Sequence, residues 1–158
     1  LRTSTMRDRE FVNRFCAFHL LGTEEYNEID DYLARALKKM NGMSAGELAQ
    51  LSSEFRNGLQ NNYNLFGEHA FRKHTPDQKR RSVLNASLWD VMTTGLATIP
   101  QAHAAERKTA LCDGFYALLE DDEFIKSITY STNSRPPVLH RFQAFTALLA
   151  RVFDVDEN

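Results

Sequence analysis

Glycine and proline are scarce in this 158-residue chain, seven and four respectively. Few breakers favour long uninterrupted helices over a turn-rich sheet. Cysteine is scarcer still. Cys16 and Cys112 are too few and too far apart for a disulfide framework or a CxxC motif. Both fall on apolar helical stretches and read as reduced, buried thiols of a cytoplasmic protein. No apolar run approaches the roughly 18 residues of a membrane span, and no secretory signal is visible. Charge of one sign is also missing. Nineteen Lys and Arg against 21 Asp and Glu leave a net −2, so no global field draws the chain to nucleic acid or to an anionic membrane. Such binding has to come from a local patch. The GxxxxGK[ST] and GxGxxG phosphate cradles, the GxSxG elbow and the HExxH zinc pattern are all absent. The chain is therefore expected to hold no catalytic residue, no metal and no cofactor. It opens Leu1-Arg2-Thr3-Ser4-Thr5, without an initiator Met. The expectation is one helical domain over residues 1–158, the C-terminal part of a longer protein whose N-terminal catalytic domain is missing.

What the chain does have is phenylalanine, eleven of them, set at helical spacing. Phe11, Phe15 and Phe18, widened by Val12 and Cys16, predict a helix over about Asp8 to Leu21. Ile29, Leu33, Leu37 and Met40 predict a second, stopped by Asn41-Gly42. Ser44-Ala45-Gly46-Glu47 reads as a capping box. It opens a third helix with Leu48, Leu51, Phe55, Leu59, Tyr63 and Phe66 on one face. A fourth is expected over about Arg81 to Ile99, with Trp89 at its edge, and a fifth from Ala102 to Glu120. Asp121 to Ile128 forms a short sixth, and Ser134 caps a last helix bearing Val138, Phe142, Phe145, Leu149 and Val152. The acidic end, Asp154 to Asn158, is expected to fray. The predicted fold is all-α, an irregular bundle of six or seven helices.

Three stretches invite a functional reading. Phe66, Gly67 and Phe71 form a structural junction in which aromatics pin a turn. After it, Arg72, Lys73, Lys79, Arg80 and Arg81 stand against the single acid Asp77. Such a cluster is able to track a phosphate backbone. It competes with the plain reading of a solvated inter-helix loop, since charge runs usually only solvate a face. On the first helix, Arg7, Arg9, Glu10 and Arg14 either form surface pairs, Glu10 with Arg14 at i, i+4, or face a neighbouring domain. His69 with His74, and His103 with Glu106, come nearest to ligand spacing, but zinc needs three or four converging groups. Asp121-Asp122-Glu123 is placed to stabilise a helix start.

Three segments, in order, carry a family resemblance. They are Met6-Arg7-Asp8-Arg9-Glu10-Phe11-Val12 with Arg14-Phe15 and Ala17-Phe18; Leu65-Phe66-Gly67 with Ala70-Phe71-Arg72-Lys73; and Leu84-Asn85-Ala86-Ser87-Leu88-Trp89-Asp90. Their succession, spanning about Met6 to Phe153, resembles the helical half of a large bacterial family. This is domain-of-unknown-function family 262, which includes the GmrSD-type restriction proteins. Members place a ParB-like α/β region with an Asp-Gly-Gln-Gln-Arg motif, linked to nucleotide hydrolysis, before the helical half. Some add an HNH nuclease domain and act in phage defence. Neither motif occurs in this chain, so no catalytic residue carries over. The resemblance implies a catalytically inert region that supports the N-terminal domain of the same protein, with DNA as a further partner at the basic loop. The alternative is a protein-interaction or oligomerisation module, docking a partner or a second copy, with no nucleic-acid role.

Overall fold

The computed structural model describes residues 6–154. The expectations about Leu1 to Thr5, and about all of the acidic end except Asp154, lie outside the described residues. The fold is all-α. Its helices are α1 (Met6–Leu21), α2 (Ile29–Asn41), α3 (Ala45–Phe66), α4 (Ala86–Leu96), α5 (Gln101–Glu106), α6 (Lys108–Glu120), α7 (Asp122–Ser127) and α8 (Arg135–Phe153), with a 3₁₀ turn over Gly67–His69. Among the described residues the only β-type pairing is one antiparallel bridge, Arg72 with Leu84.

Local chemistry sets most of the ends. Ser44 Oγ accepts from the Glu47 amide at 3.1 Å, and Glu47 Oε1 accepts from the Ser44 amide at 3.2 Å. This reciprocal box satisfies two donors that the helix start would otherwise orphan. Asp121 Oδ1 accepts from the Phe124 amide at 2.8 Å and so starts α7. Ser134 stands at the start of α8, but its side chain makes no capping bond. Pro136 and Pro137 occupy the first turn of that helix, where no N–H is needed.

Two boundaries differ from the sequence reading. The fourth helix begins at Ala86 rather than near Arg81, because Asn85 Oδ1 caps the Leu88 amide at 2.9 Å. The Asn85 amide in turn donates to the Phe71 carbonyl at 2.9 Å, which holds residues 81–84 in the preceding loop. The expected fifth helix is broken in two at Arg107, whose φ of −104° and ψ of 16° leave helical geometry.

The main core lies where α3, α4, α6 and α8 meet. Leu88, Met92, Leu96, Phe115, Phe124 and Leu148 form its centre, each at most 3% exposed. A second cluster joins Ala17, Phe18, Tyr26, Tyr32 and Ala36 to Val138. The face expected on α3 is enclosed in part: Leu51 and Phe66 are buried, and Phe55 packs on Trp89 of α4 at 6.0 Å between ring centres. Tyr63 is 63% exposed and Leu48 41%, whereas Gly58, Asn61 and Asn62 are buried. Gly58 permits the close approach, since a Cβ there would lie 2.7 Å from the Thr93 carbonyl oxygen. Asn61 Nδ2 donates to the Leu96 and Ile99 carbonyls, at 2.9 and 2.8 Å. Asn57 Nδ2 donates to those of Ala97 and Ile99. The asparagines thus serve the orphan carbonyls at the end of α4, alongside the apolar stripe.

Candidate functional site

The charged stretch of α1 divides into an inner and an outer part. Arg14, expected on the surface, is 3% exposed. It lies on the half of α1 that is enclosed from Arg14 to Phe18. Its Nε and Nη2 donate to the two Asp90 oxygens at 2.9 and 2.6 Å, and Nη2 also reaches Asn133 Oδ1 at 3.3 Å. Arg141, with no exposed surface, completes the cluster from α8. Its Nη2 donates to Asp90 Oδ2 at 3.3 Å. Its Nη1 donates to the carbonyls of Ser127 and Thr132, at 3.2 and 2.6 Å. Two guanidiniums therefore share one carboxylate inside the bundle. Burial works against the Arg14 charge, but the Asp90 carboxylate outweighs it and holds the pKa above its ordinary value. For Arg141, burial and the nearby Arg14 outweigh Asp90 and pull the pKa down. Arginine remains a cation throughout.

This cluster fastens α1, α4 and α8 to the 128–134 loop. Tyr26 extends it, with its hydroxyl donating to the Asn133 carbonyl at 2.6 Å. Arg135 returns the contact by donating to the carbonyls of Tyr26 and Glu24. The segment after α1 is thereby held against α8, and α2 is laid beside α1.

The outer part of α1 borders a groove. Arg7, Arg9 and Glu10 are exposed and line it, together with Met6, Ile29 and Asp30, over about 840 Å³. It continues past Asn13 and Leu37 into a second hollow of about 420 Å³ walled by Val12, Cys16 and Met40. Leu37, expected in the core, is 50% exposed, Val12 45% and Met6 81%. Glu10 reaches back to Arg14 Nη1 at 3.7 Å, and Asn13 and Asn133 close the floor above the charge cluster. Cys16 at the groove's end is buried, and burial raises its thiol pKa. Cys112 is raised the same way, so neither thiol is poised as a nucleophile.

The basic loop is built differently. Gly67, at φ 55°, lets the chain leave α3 in a conformation that costs other residues. Phe71 adopts a left-handed φ of 62°, buried against Trp89 at 4.8 Å between ring centres. Phe66 packs on Phe115 at 4.7 Å. From this anchor Arg72 Nη1 donates to the Ser82 carbonyl at 2.5 Å, and Lys73 Nζ to Thr129 Oγ1 at 2.6 Å. Burial, with repulsion from Arg81, lowers the Arg72 pKa. Lys79, Arg80 and Arg81 are exposed. The five cations are therefore not one presented patch: two hold the loop and three face solvent.

His74 is 7% exposed inside the same loop. Its Nδ1 lies 2.8 Å from the Arg72 carbonyl and its Nε2 3.0 Å from the Tyr116 hydroxyl. Nδ1–H therefore donates to that carbonyl, and in the neutral ring Nε2 accepts from the hydroxyl. Burial lowers its pKa, and the His69 ring stacked 4.9 Å away adds to that. Among the described residues no group of three or more His, Cys, Asp or Glu converges as a metal site. No described helix is long and apolar enough to cross a membrane.

Sequence reasoning missed Asp90, Arg141, Asn133 and Tyr26. The available signal was a lone charge inside an apolar helical face: Asp90 between Leu88 and Val91, and Arg141 between Val138 and Phe145. No protein-family model, no curated protein and no solved structure matches the chain.

Proposed function

We propose that this chain is a non-catalytic helical docking module whose α1–α2 face receives a protein surface. The supporting observation is the groove, where Met6, Val12 and Leu37 stand exposed along one apolar channel bordered by Arg7, Arg9, Glu10 and Asp30. An apolar channel with a charged rim has the make-up of a protein-docking surface, apolar at the centre and polar at the edge. The buried Arg14–Asp90–Arg141 cluster sits under the floor and fastens the α1 side of the face to α4 and α8. This reading fits the support role implied by the likeness to family 262 proteins, in which the helical half accompanies a nucleotide-handling domain in phage defence.

A second reading, nucleic-acid contact, draws on one observation: Lys79, Arg80 and Arg81 are consecutive and exposed on a loop pinned at both ends. The two readings separate by experiment. A photoreactive side chain at position 37, in cells producing the protein, should give covalent protein adducts; their absence would remove the docking role. Binding to a DNA duplex should weaken steeply with added salt and vanish when Lys79, Arg80 and Arg81 become Ala. Binding insensitive to both changes would remove the nucleic-acid role.

A further inference from the structure

Resting on the docking reading above, we infer that the occupant of the α1–α2 groove is a second copy of this chain, paired about a twofold axis that runs along the groove. The argument is self-complementarity. An isologous interface requires one patch to carry both halves of every contact, and this patch does. Its α1 side presents exposed knobs, Met6 at 81% and Val12 at 45%. Its α2 side presents the receiving wall, Ile29, Leu33 and Leu37. With the axis along the groove, α1 of each copy lies over α2 of the other. Knobs then meet wall twice, symmetrically.

The charges obey the same operation. The α1 rim carries Arg7 and Arg9, and the α2 rim carries Asp30, with the exposed Asp31 next to it. The twofold sets the cations of one copy over the carboxylates of the other. Two acids on the α1 rim would oppose this match: Asp8, which is already engaged in an interaction of its own, and Glu10, which turns back toward its own Arg14 at 3.7 Å. A heterologous partner would need a surface of this same mixed character, apolar in the centre and opposite in sign on its two edges. A second copy supplies it without further assumption. The interface is also preformed: Asn13 and Asn133 floor the groove, and the buried cluster below holds α1 in place. Little ordering cost is left to association.

The test is sedimentation equilibrium of the purified chain across the micromolar range, with charge-swap variants. The wild type is expected at twice the monomer mass. Leu37→Asp should weaken pairing by tenfold or more, the equivalent of about 1.4 kcal/mol. It should leave the thermal melt of the monomer in place, because Leu37 is half exposed. Arg9→Asp alone and Asp30→Arg alone should each weaken pairing, and the double variant should restore it. A purely structural role for either residue predicts no restoration. A wild type that stays monomeric throughout overturns the inference, as does a double variant no better than the single ones. Crosslinking from position 37 then separates the two claims. Adducts to another protein from a monomeric chain would leave the docking face standing and remove only self-pairing. No adduct at all would remove both.

Discussion

Two regions of this molecule carry runs of charge that look alike on paper, the start of α1 and the loop from Arg72 to Arg81. In each, the fold ties some cations down and leaves others in water. On α1, Arg14 is drawn under the surface to Asp90, while Arg7 and Arg9 stay out. In the loop, Arg72 and Lys73 are tied to Ser82 and Thr129, while Lys79, Arg80 and Arg81 stay out. The difference lies beneath the remaining charges. Those of α1 edge an apolar channel, whereas those of the loop flank only Val83 as an exposed large apolar side chain. Exposed charge alone is solvation; exposed charge around apolar surface is the composition of an interface core and rim. The comparison also separates two ways of tying down an arginine. Arg14 and Arg141 share a full carboxylate, but Arg72 receives only a backbone carbonyl.

The sharpest way to break this comparison is at Asp90. Asp90→Ala leaves two guanidiniums buried without their carboxylate and should cost about 3–5 kcal/mol of stability, read by urea or thermal unfolding. An effect near zero would mean that the cluster is not what holds α1. Next is Gly58→Ala, which forces a methyl against the Thr93 carbonyl and should cost about 1–3 kcal/mol by overpacking. Groove substitutions should behave in the opposite manner. Val12→Asp and Leu37→Asp should shift stability little, yet weaken association measured by sedimentation by tenfold or more.

The loop gives a pH-dependent contrast. The folded-state pKa of His74 is lowered by burial, so its neutral ring favours the folded loop. That contribution is complete above the unfolded value, about 6.5, and is lost as pH falls through the lowered folded value. Hydrogen exchange at the Asn85 amide, which bonds Phe71, should quicken as pH drops through that window beyond its intrinsic trend. His74→Gln should remove the excess. The smallest effect is expected at Lys79, Arg80 and Arg81, where Ala substitution should move stability by no more than about 0.5 kcal/mol. A large loss there would show that these side chains also build the loop.

Much of the bundle was legible from spacing. The Ser44–Glu47 box, the Phe15–Phe18 half of α1, and Val138, Phe145 and Val152 of α8 stand where periodicity puts them. Periodicity failed where a polar group had a partner far along the chain. Asn57, Asn61 and Asn62 are no part of the apolar spacing of α3, yet they donate to carbonyls of α4 and of the turn after it. Leu37 and Tyr63 read as core, yet the neighbouring helices never cover them.

By itself the sequence determined the all-α character and the caps, because helix propensity, apolar spacing and side chain-to-backbone bonds act within a few residues. Only the tertiary structure decided which charges were buried and which were left in solvent. Arg14 and Asp90 are 76 positions apart, and a carboxylate can neutralise a guanidinium only where packing brings the two within about 3 Å.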